Sequence, residues 1–139
     1  MKNASEKENY RRFYPLKKRH GSPCLTAREN FAEAEEAVKV GLLRAATNSA
    51  YVAVFHAARA VLFRDGIREK SHFCLEQYLN TYVDSGKLES KWVAFFGNLR
   101  SKRDINQYGF EPPATREELD ITLQLAAQFI DRMGTLLKI

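Results

Sequence analysis

The sequence predicts one all-α domain, an antiparallel bundle of about five helices, preceded by a flexible basic N-terminal arm. Apolar residues recur at intervals of three and four along most of the chain after Pro23, which is the period of an amphipathic helix. Glycines and prolines divide this stretch into segments of helical length, and no segment alternates with the period of a strand. We therefore divide the chain into an arm, residues 1–22, and a helical domain, residues 23–139.

The first two helices form the start of this domain. The first is expected to begin at Thr26, because Thr26 and Glu29 have the spacing of a capping box. The second is expected over 43–65, and its stretch 50–63 is apolar around most of its circumference, so it should be the central helix. Glycines mark the expected ends of the first three helices, at Gly41, Gly66 and Gly86.

Three further helices complete the predicted bundle. The third starts near Ser71, and the fourth starts at residue 89 or 90 and ends near Gln107. The fifth opens with a second capping box, formed by Thr115 and Glu118, and continues through an apolar stripe to Leu137.

The net charge of +5 is concentrated in the arm. Residues 1–21 carry seven lysines and arginines against two glutamates, so the rest of the chain is neutral. Tyr10, Phe13 and Tyr14 lie among these charges, a mixture that suits phosphate attraction and base stacking. A solvated tail, or a tail that packs on its own domain, is the alternative interpretation.

Composition argues against several classes of protein. The apolar run 50–63 is too short to cross a bilayer and is interrupted by His56 and Arg59. The polar N-terminus does not resemble a signal peptide. Cys24 and Cys74 predict free thiols in a reducing cytoplasm. The histidines lack metal-ligand spacing and no glycine-rich phosphate loop is present, so we expect no metal and no cofactor.

The clearest departure from simple helical patterning is Arg103 in the fourth helix. At 100° per residue it lies on the same face as Trp92, Phe96 and Leu99. A guanidinium that continues an apolar stripe needs an anion. That anion could be an acid of the fifth helix, such as Asp120, or a bound phosphate, and the sequence leaves both open.

Further polar residues surround Arg103. Arg100, Lys102 and Arg103 put three cations within four residues, and Asn106 and Tyr108 follow them. Such a segment could hold a phosphate and a base. The competing explanation is that cations near the end of a helix stabilise its dipole.

Helices two and three contribute a second group of candidates. His56 and Arg59 share a narrow face of the second helix with Asn48, and His72 stands at the start of the third helix. Each could contact a nucleotide. A histidine in a helical core is more often structural, however, and one at a helix start more often serves as a surface or capping residue.

Three stretches, taken in order, resemble the HEPN domain (higher eukaryotes and prokaryotes nucleotide-binding). Residues 42–62, LLRAATNSAYVAVFHAARAVL, resemble the long second helix of that family. Residues 68–72, REKSH, are similar to the lysine-x-histidine segment that precedes the next helix in one prokaryotic branch. Residues 103–109, RDINQYG, resemble the arginine, polar residue, spacer and tyrosine-glycine of the same branch. The resemblance covers residues 25–137.

The resemblance implies a bundle that dimerises and brings two copies of the arginine motif into one cleft. Many family members are metal-independent endoribonucleases of toxin or defence systems, often paired with a nucleotidyltransferase. Arg103 and Asp104 match the family's active pattern, but Tyr108 stands where the family has histidine. Tyrosine, with a pKa of ~10, is a poor base at neutral pH, so this departure favours binding over turnover.

The sequence therefore predicts a cytoplasmic, HEPN-type RNA- or nucleotide-binding homodimer of a toxin–antitoxin or defence pair that acts with a nucleotidyltransferase. The first alternative is a metal-independent endoribonuclease with Arg103, Asp104 and Tyr108 as catalytic residues, and with His56 or His72 as a substitute base. The second is a non-catalytic helical dimerisation module. The expected nucleic-acid contacts are Arg100, Lys102, Asn106, His56, Arg59 and His72.

Overall fold

The computed structural model describes residues 23–68 and 71–138, and the predicted basic arm lies outside these residues. Within these two ranges the chain forms five α-helices and no β-strand, which confirms the all-α prediction. None of the described helices is long and apolar enough to cross a bilayer. The helices are α1 (Pro23–Lys39), α2 (Leu43–Arg64), α3 (His72–Asp84), α4 (Ser90–Tyr108) and α5 (Arg116–Leu136).

The helix starts follow the predicted capping signals with one exception. The hydroxyls of Ser71 and Thr115 each accept a hydrogen bond from the amide three residues later, and so cap α3 and α5. The predicted start of α1 at Thr26 is wrong, because α1 begins at Pro23. Proline suits a first helical position, where its missing N–H would have no partner, so the helix begins one turn earlier. Thr26 lies inside this turn, and its carbonyl accepts a hydrogen bond from Asn30.

Glycines end the first three helices, as predicted. Gly66 has a φ of 88°, a left-handed conformation that a side chain would disfavour. Its amide donates to the carbonyl of Phe63, and the amide of Ile67 donates to that of Leu62. This pairing satisfies the last carbonyls of α2 and turns the chain toward α3.

The central position of α2 is confirmed, because α2 packs against each of the other four helices. Small side chains let neighbouring helix backbones come close together, and α1 and α2 bury many of them. The buried alanines of these two helices are Ala27, Ala34, Ala46, Ala50, Ala53, Ala57, Ala58 and Ala60.

Large aromatic side chains fill the space between α4 and α5. The ring of Phe129 on α5 contacts Trp92, Phe95 and Phe96 on α4, with centroid distances of 6.2, 6.0 and 6.1 Å. Phe96 and Phe129 are fully buried. The aromatic layer thus holds α4 in place and sets the position of the residues at its C-terminal end.

A group of polar side chains ties the end of α2 to α3 and α5. Asp65 accepts hydrogen bonds from the hydroxyls of Tyr78 and Tyr82 and, at 2.9 Å, from Arg64 Nε. Arg64 also donates to the Tyr82 hydroxyl and to the carbonyl of Leu136. Burial raises the pKa of Asp65, but these hydrogen bonds outweigh burial and hold the pKa below its ordinary value.

Replacing the Asp65 carboxylate should destabilise the protein. We expect Asp65→Ala to lower the free energy of unfolding by about 1–3 kcal/mol, because two tyrosine hydroxyls and one guanidinium lose their acceptor. Urea denaturation at neutral pH measures this difference. The difference should shrink in acid, since the contribution of a carboxylate with a depressed pKa is lost as the pH falls through that pKa.

Asp84→Ala is the matched control, because Asp84 is an exposed acid at the end of α3. Its removal should change the free energy of unfolding by a few tenths of a kcal/mol at most. Equal changes in the two variants would contradict the role given to Asp65.

Candidate functional site

Arg103 lies at the exposed end of the apolar stripe of α4, as its spacing predicted. The stripe is buried as far as Leu99, and the Arg103 side chain is 22% exposed. Its guanidinium carbon lies 4.8 Å from the centroid of the Tyr51 ring on α2. Its Nη2 is 2.9 Å from Asp104 Oδ1, while its Nε is buried and has no hydrogen-bond partner among the described residues.

Asp104 is the carboxylate beside Arg103, and no acid of α5 takes that place. The Asp104 side chain is 50% exposed. An ion pair with so much solvent contact contributes only about 0–1 kcal/mol. A phosphate could therefore share or replace this pairing, and the guanidinium remains open to an anion from outside the chain.

His72 comes close to Arg103 through Tyr51. Its Nδ1 is hydrogen-bonded to the Tyr51 hydroxyl, and its ring centroid is 5.4 Å from Tyr51 and 4.6 Å from Phe55. These two residues belong to different helices, since α2 contains Tyr51 and α3 begins at His72. Tyr51 thus contacts the cation with its ring face and the imidazole with its hydroxyl.

The electrostatics of this pair determine where the protons lie. Burial raises the pKa of Tyr51 above its ordinary value, so its hydroxyl keeps its proton. Burial, and then the charges of Arg103 and Arg100, lower the pKa of His72, so its imidazole is neutral at pH 7. In the tautomer whose Nδ1 accepts a hydrogen bond from the Tyr51 hydroxyl, the neutral imidazole carries its proton on Nε2. His72 can then offer an N–H donor to a ligand.

Arg100 belongs to a separate ion pair on the same side of α4. Its Nη1 is 3.3 Å from Glu76 Oε1 on α3, and both side chains are largely buried. Gly97 lies beside the Glu76 carboxylate, and a Cβ at that position would make an ordinary contact of 3.4 Å with Oε1. The charge of Arg100 is therefore partly neutralised within the protein.

Lys102 and Asn106 face a cleft that Arg103 does not line. They line a cleft of about 370 Å³ beneath the loop that joins α4 to α5. The Asn106 side chain is already occupied: it donates to the Arg44 carbonyl and to Asn48 Oδ1, both at 3.0 Å. Its own Oδ1 accepts from Arg44 at 3.2 Å. These bonds attach the end of α4 to the start of α2.

Tyr108 is the last residue of α4, and 81% of its surface is exposed. Five residues of α-helix separate it from Arg103 by about 140° around the axis and ~7.5 Å along it. The two side chains of one chain therefore leave the helix on different sides.

His56 and Arg59 connect to the Arg103 region through Phe55. The His56 ring meets Phe55 edge-on at 5.5 Å. The Arg59 guanidinium carbon lies 5.5 Å from the Phe55 centroid and 4.7 Å from that of Phe63. Burial, and then the charge of Arg59, lower the pKa of His56.

Sequence reasoning missed three residues of this region, namely Tyr51, Phe55 and Glu76. Tyr51 and Phe55 precede Arg59 at intervals of four, so helical spacing could have placed all three on one stripe of α2. Glu76 gave no comparable signal, because its partner Arg100 lies on a different helix. No three His, Cys, Asp or Glu side chains within 23–68 and 71–138 come together in a way that could hold a metal ion.

Comparison with known proteins agrees with this fold. The sequence model of the HEPN domain family matches residues 24–136 of this chain, a range that contains Tyr51, His72 and Arg103. A protein of Methanocaldococcus jannaschii that bears the name "Putative toxin MJ0605" is 32% identical over 116 residues, which are 81% of this chain and 84% of that protein. The family match extends over most of the chain, and the described fold is the all-helical bundle that the resemblance implied. This protein belongs to the HEPN family.

Proposed function

We propose that this protein is the toxin-like member of a two-component toxin–antitoxin or defence pair, and that it binds the phosphate groups of RNA or of a nucleotide at Arg103. The observation that carries the proposal is the Arg103 guanidinium, whose side chain is partly exposed and whose only ion-pair partner among the described residues is the half-exposed Asp104. The name of the archaeal relative supports the toxin-like role.

The neighbouring side chains support a phosphate rather than another ligand. Arg103 offers a planar set of donors that matches phosphate oxygens, and His72 adds an N–H donor beside it. Arg100 is held by Glu76 but still contributes positive potential. The arrangement contains no sequence-reading element, so affinity for the backbone of a single strand is the expected outcome.

Proton chemistry favours binding over cleavage. Attack by a 2′-hydroxyl on the adjacent phosphorus needs a group that accepts the 2′ proton and another that protonates the leaving 5′ oxygen. His72 Nδ1 is already hydrogen-bonded with the Tyr51 hydroxyl, and Tyr108 is directed away from Arg103. Cleavage of single-stranded RNA by the pure protein in EDTA would establish the endoribonuclease alternative instead.

The proposal includes a homodimer and a nucleotidyltransferase partner. Phe73, Ile105 and Tyr108 are large exposed side chains on α3 and α4, and such residues are common at interfaces. Light scattering of the purified chain measures the formation of the homodimer, and co-purification with a co-expressed nucleotidyltransferase measures the association with the partner. A monomer that binds no RNA would leave neither this proposal nor the dimerisation-module alternative standing.

Removing the Arg103 charge should weaken RNA binding. We expect Arg103→Gln to lower the affinity for a fluorescent single-stranded oligoribonucleotide at least about tenfold, because hydrogen bonds to charged groups contribute about 1.5–3 kcal/mol. Fluorescence anisotropy at fixed salt measures the dissociation constant. A probe with 2′-O-methyl groups prevents cleavage during the titration.

Arg28→Gln is the control, since it removes the same charge from an exposed position on α1. Arg28→Gln should bind the oligoribonucleotide with nearly the affinity of the natural protein. If Arg103→Gln bound as tightly as Arg28→Gln, the proposed phosphate site would be refuted.

Affinity should increase in mild acid because of His72. A bound phosphate favours the imidazolium, so binding takes up a proton as the pH falls below the ordinary histidine value of ~6.5. We expect about three- to tenfold tighter binding at pH 5.5 than at pH 7.5, measured with an oligonucleotide that lacks terminal phosphates and so keeps a constant charge. In His72→Gln, which keeps an N–H donor but cannot be protonated, the pH dependence of the affinity should largely disappear. An unchanged pH profile in that variant would contradict the assignment.

The exposed hydroxyl of Tyr108 is the candidate acceptor for the partner enzyme. With the nucleotidyltransferase and a nucleoside triphosphate, the tyrosyl oxygen would attack the α-phosphorus and release pyrophosphate, leaving a nucleoside monophosphate on the chain. Intact-mass spectrometry should detect this addition in the natural protein and in Tyr78→Phe, whose hydroxyl is bound to Asp65, but not in Tyr108→Phe. An unmodified natural protein would count against this part of the proposal.

A further inference from the structure

Arg59 is a second arginine near the candidate site, and unlike Arg103 it has no carboxylate partner among the described residues. Its guanidinium lies against the rings of Phe55 and Phe63, at 5.5 and 4.7 Å from their centroids. Its Nε is buried without a hydrogen-bond partner, and no ion pair to a carboxylate is found for it in the described part of the chain. Contact with aromatic faces leaves the edge of a guanidinium, which carries its N–H groups, available for an oxygen ligand.

A continuous series of contacts through two aromatic rings connects Arg59 to Arg103. The path runs from Arg103 to Tyr51 over 4.8 Å, from Tyr51 to Phe55 over 6.2 Å, and from Phe55 to Arg59 over 5.5 Å. These distances, taken end to end, limit the separation of the two guanidinium carbons to about 17 Å. At ~3.4 Å per nucleotide in a stacked strand, this limit corresponds to about five nucleotides, and to fewer in an extended strand.

The rings between the two cations form a rigid spacer. Tyr51 is 1% exposed and packs on Phe96 in the core at 5.7 Å. Phe55 is half-buried and contacts both Tyr51 and His72. Both rings are therefore held in place by the core.

We propose that Arg59 forms a second phosphate subsite, which makes the preferred ligand a single-stranded oligonucleotide that spans Arg59 and Arg103 rather than a mononucleotide. This inference rests on the proposed function, since it takes the Arg103 site as the first subsite. A mononucleotide reaches only one of the two cations. A longer strand places one phosphate at each, and the second contact forms without a second loss of translational freedom.

A length series tests the inference with the full chain. The probes are 2′-O-methyl oligouridylates of one, two, three, four, six and eight nucleotides, measured by competition against a fluorescent octamer. We expect affinity to increase in a step at three to five nucleotides and to change little beyond it. A smooth increase from one nucleotide to eight, with no step, would overturn the inference without any variant being made.

Arg59→Gln is the matching variant, with Arg28→Gln as its charge control. Arg59→Gln should bind the hexamer about five- to tenfold more weakly and reduce the salt-dependence slope by about one, while its affinity for the mononucleotide stays unchanged. Arg103→Gln should lose affinity for both probes. Thermal unfolding checks that each variant is folded, and Arg59→Lys, which keeps the charge, should recover part of the lost affinity.

The possible outcomes distinguish the second subsite at Arg59 from the proposed phosphate site at Arg103. Hexamer binding that is unchanged in Arg59→Gln but lost in Arg103→Gln would overturn the second subsite and leave the first in place. Binding that survives both substitutions would overturn the proposed function as well. If Arg59→Gln shifted the dimer dissociation constant and left RNA affinity unchanged, Arg59 would belong to an interface between copies of the chain.

Discussion

The side chain of Tyr51 is the interaction on which both the bundle and the candidate site depend. Its ring is buried against Phe96, so it belongs to the core that α2 and α4 share. The same ring supports the guanidinium of Arg103, and its hydroxyl is bonded to His72 at the start of α3. One residue therefore brings three helices to a single point and orients the two polar groups there.

Because the site depends on Tyr51, a residue of the core, its chemistry requires the folded protein. The neutral state of the His72 imidazole follows from burial and from the neighbouring arginines, and its Nδ1 is held by a hydrogen bond with the Tyr51 hydroxyl. None of these conditions exists in an isolated segment of the chain. The HEPN fold thus supplies positions and protonation states as well as side chains, and the departure at Tyr108 changes what those states can accomplish.

Charge is organised in local pairs in the described domain. Outside residues 1–21 the chain is neutral, and the cations near the site have specific neighbours: Arg100 with Glu76, and Arg103 with Asp104. A neutral domain attracts nucleic acid weakly from a distance. Arg59 and Arg103 differ from the other cations near the site, because their Nε atoms are buried without a hydrogen-bond partner in the described part of the chain.

The helices could be read from the sequence because local chemistry decides them. Apolar periodicity, the caps at Ser71 and Thr115 and the terminating glycines each act over one or two turns, and the observed helices agree with them. The exception at Thr26 has the same origin, since two local signals competed and Pro23 prevailed. Arg103 could be singled out for a similar reason, as helical spacing alone puts a charge on an apolar stripe.

The sequence by itself determined the family, the number and order of the helices, and the arginine at the centre of the candidate site. Only the tertiary structure decided which residues surround that arginine. Tyr51 and Arg103 are far apart in the chain, and their contact depends on how α4 is held by the aromatic layer against α5. The tertiary structure likewise decided that Lys102 and Asn106 line the cleft beneath the loop between α4 and α5, which Arg103 does not line.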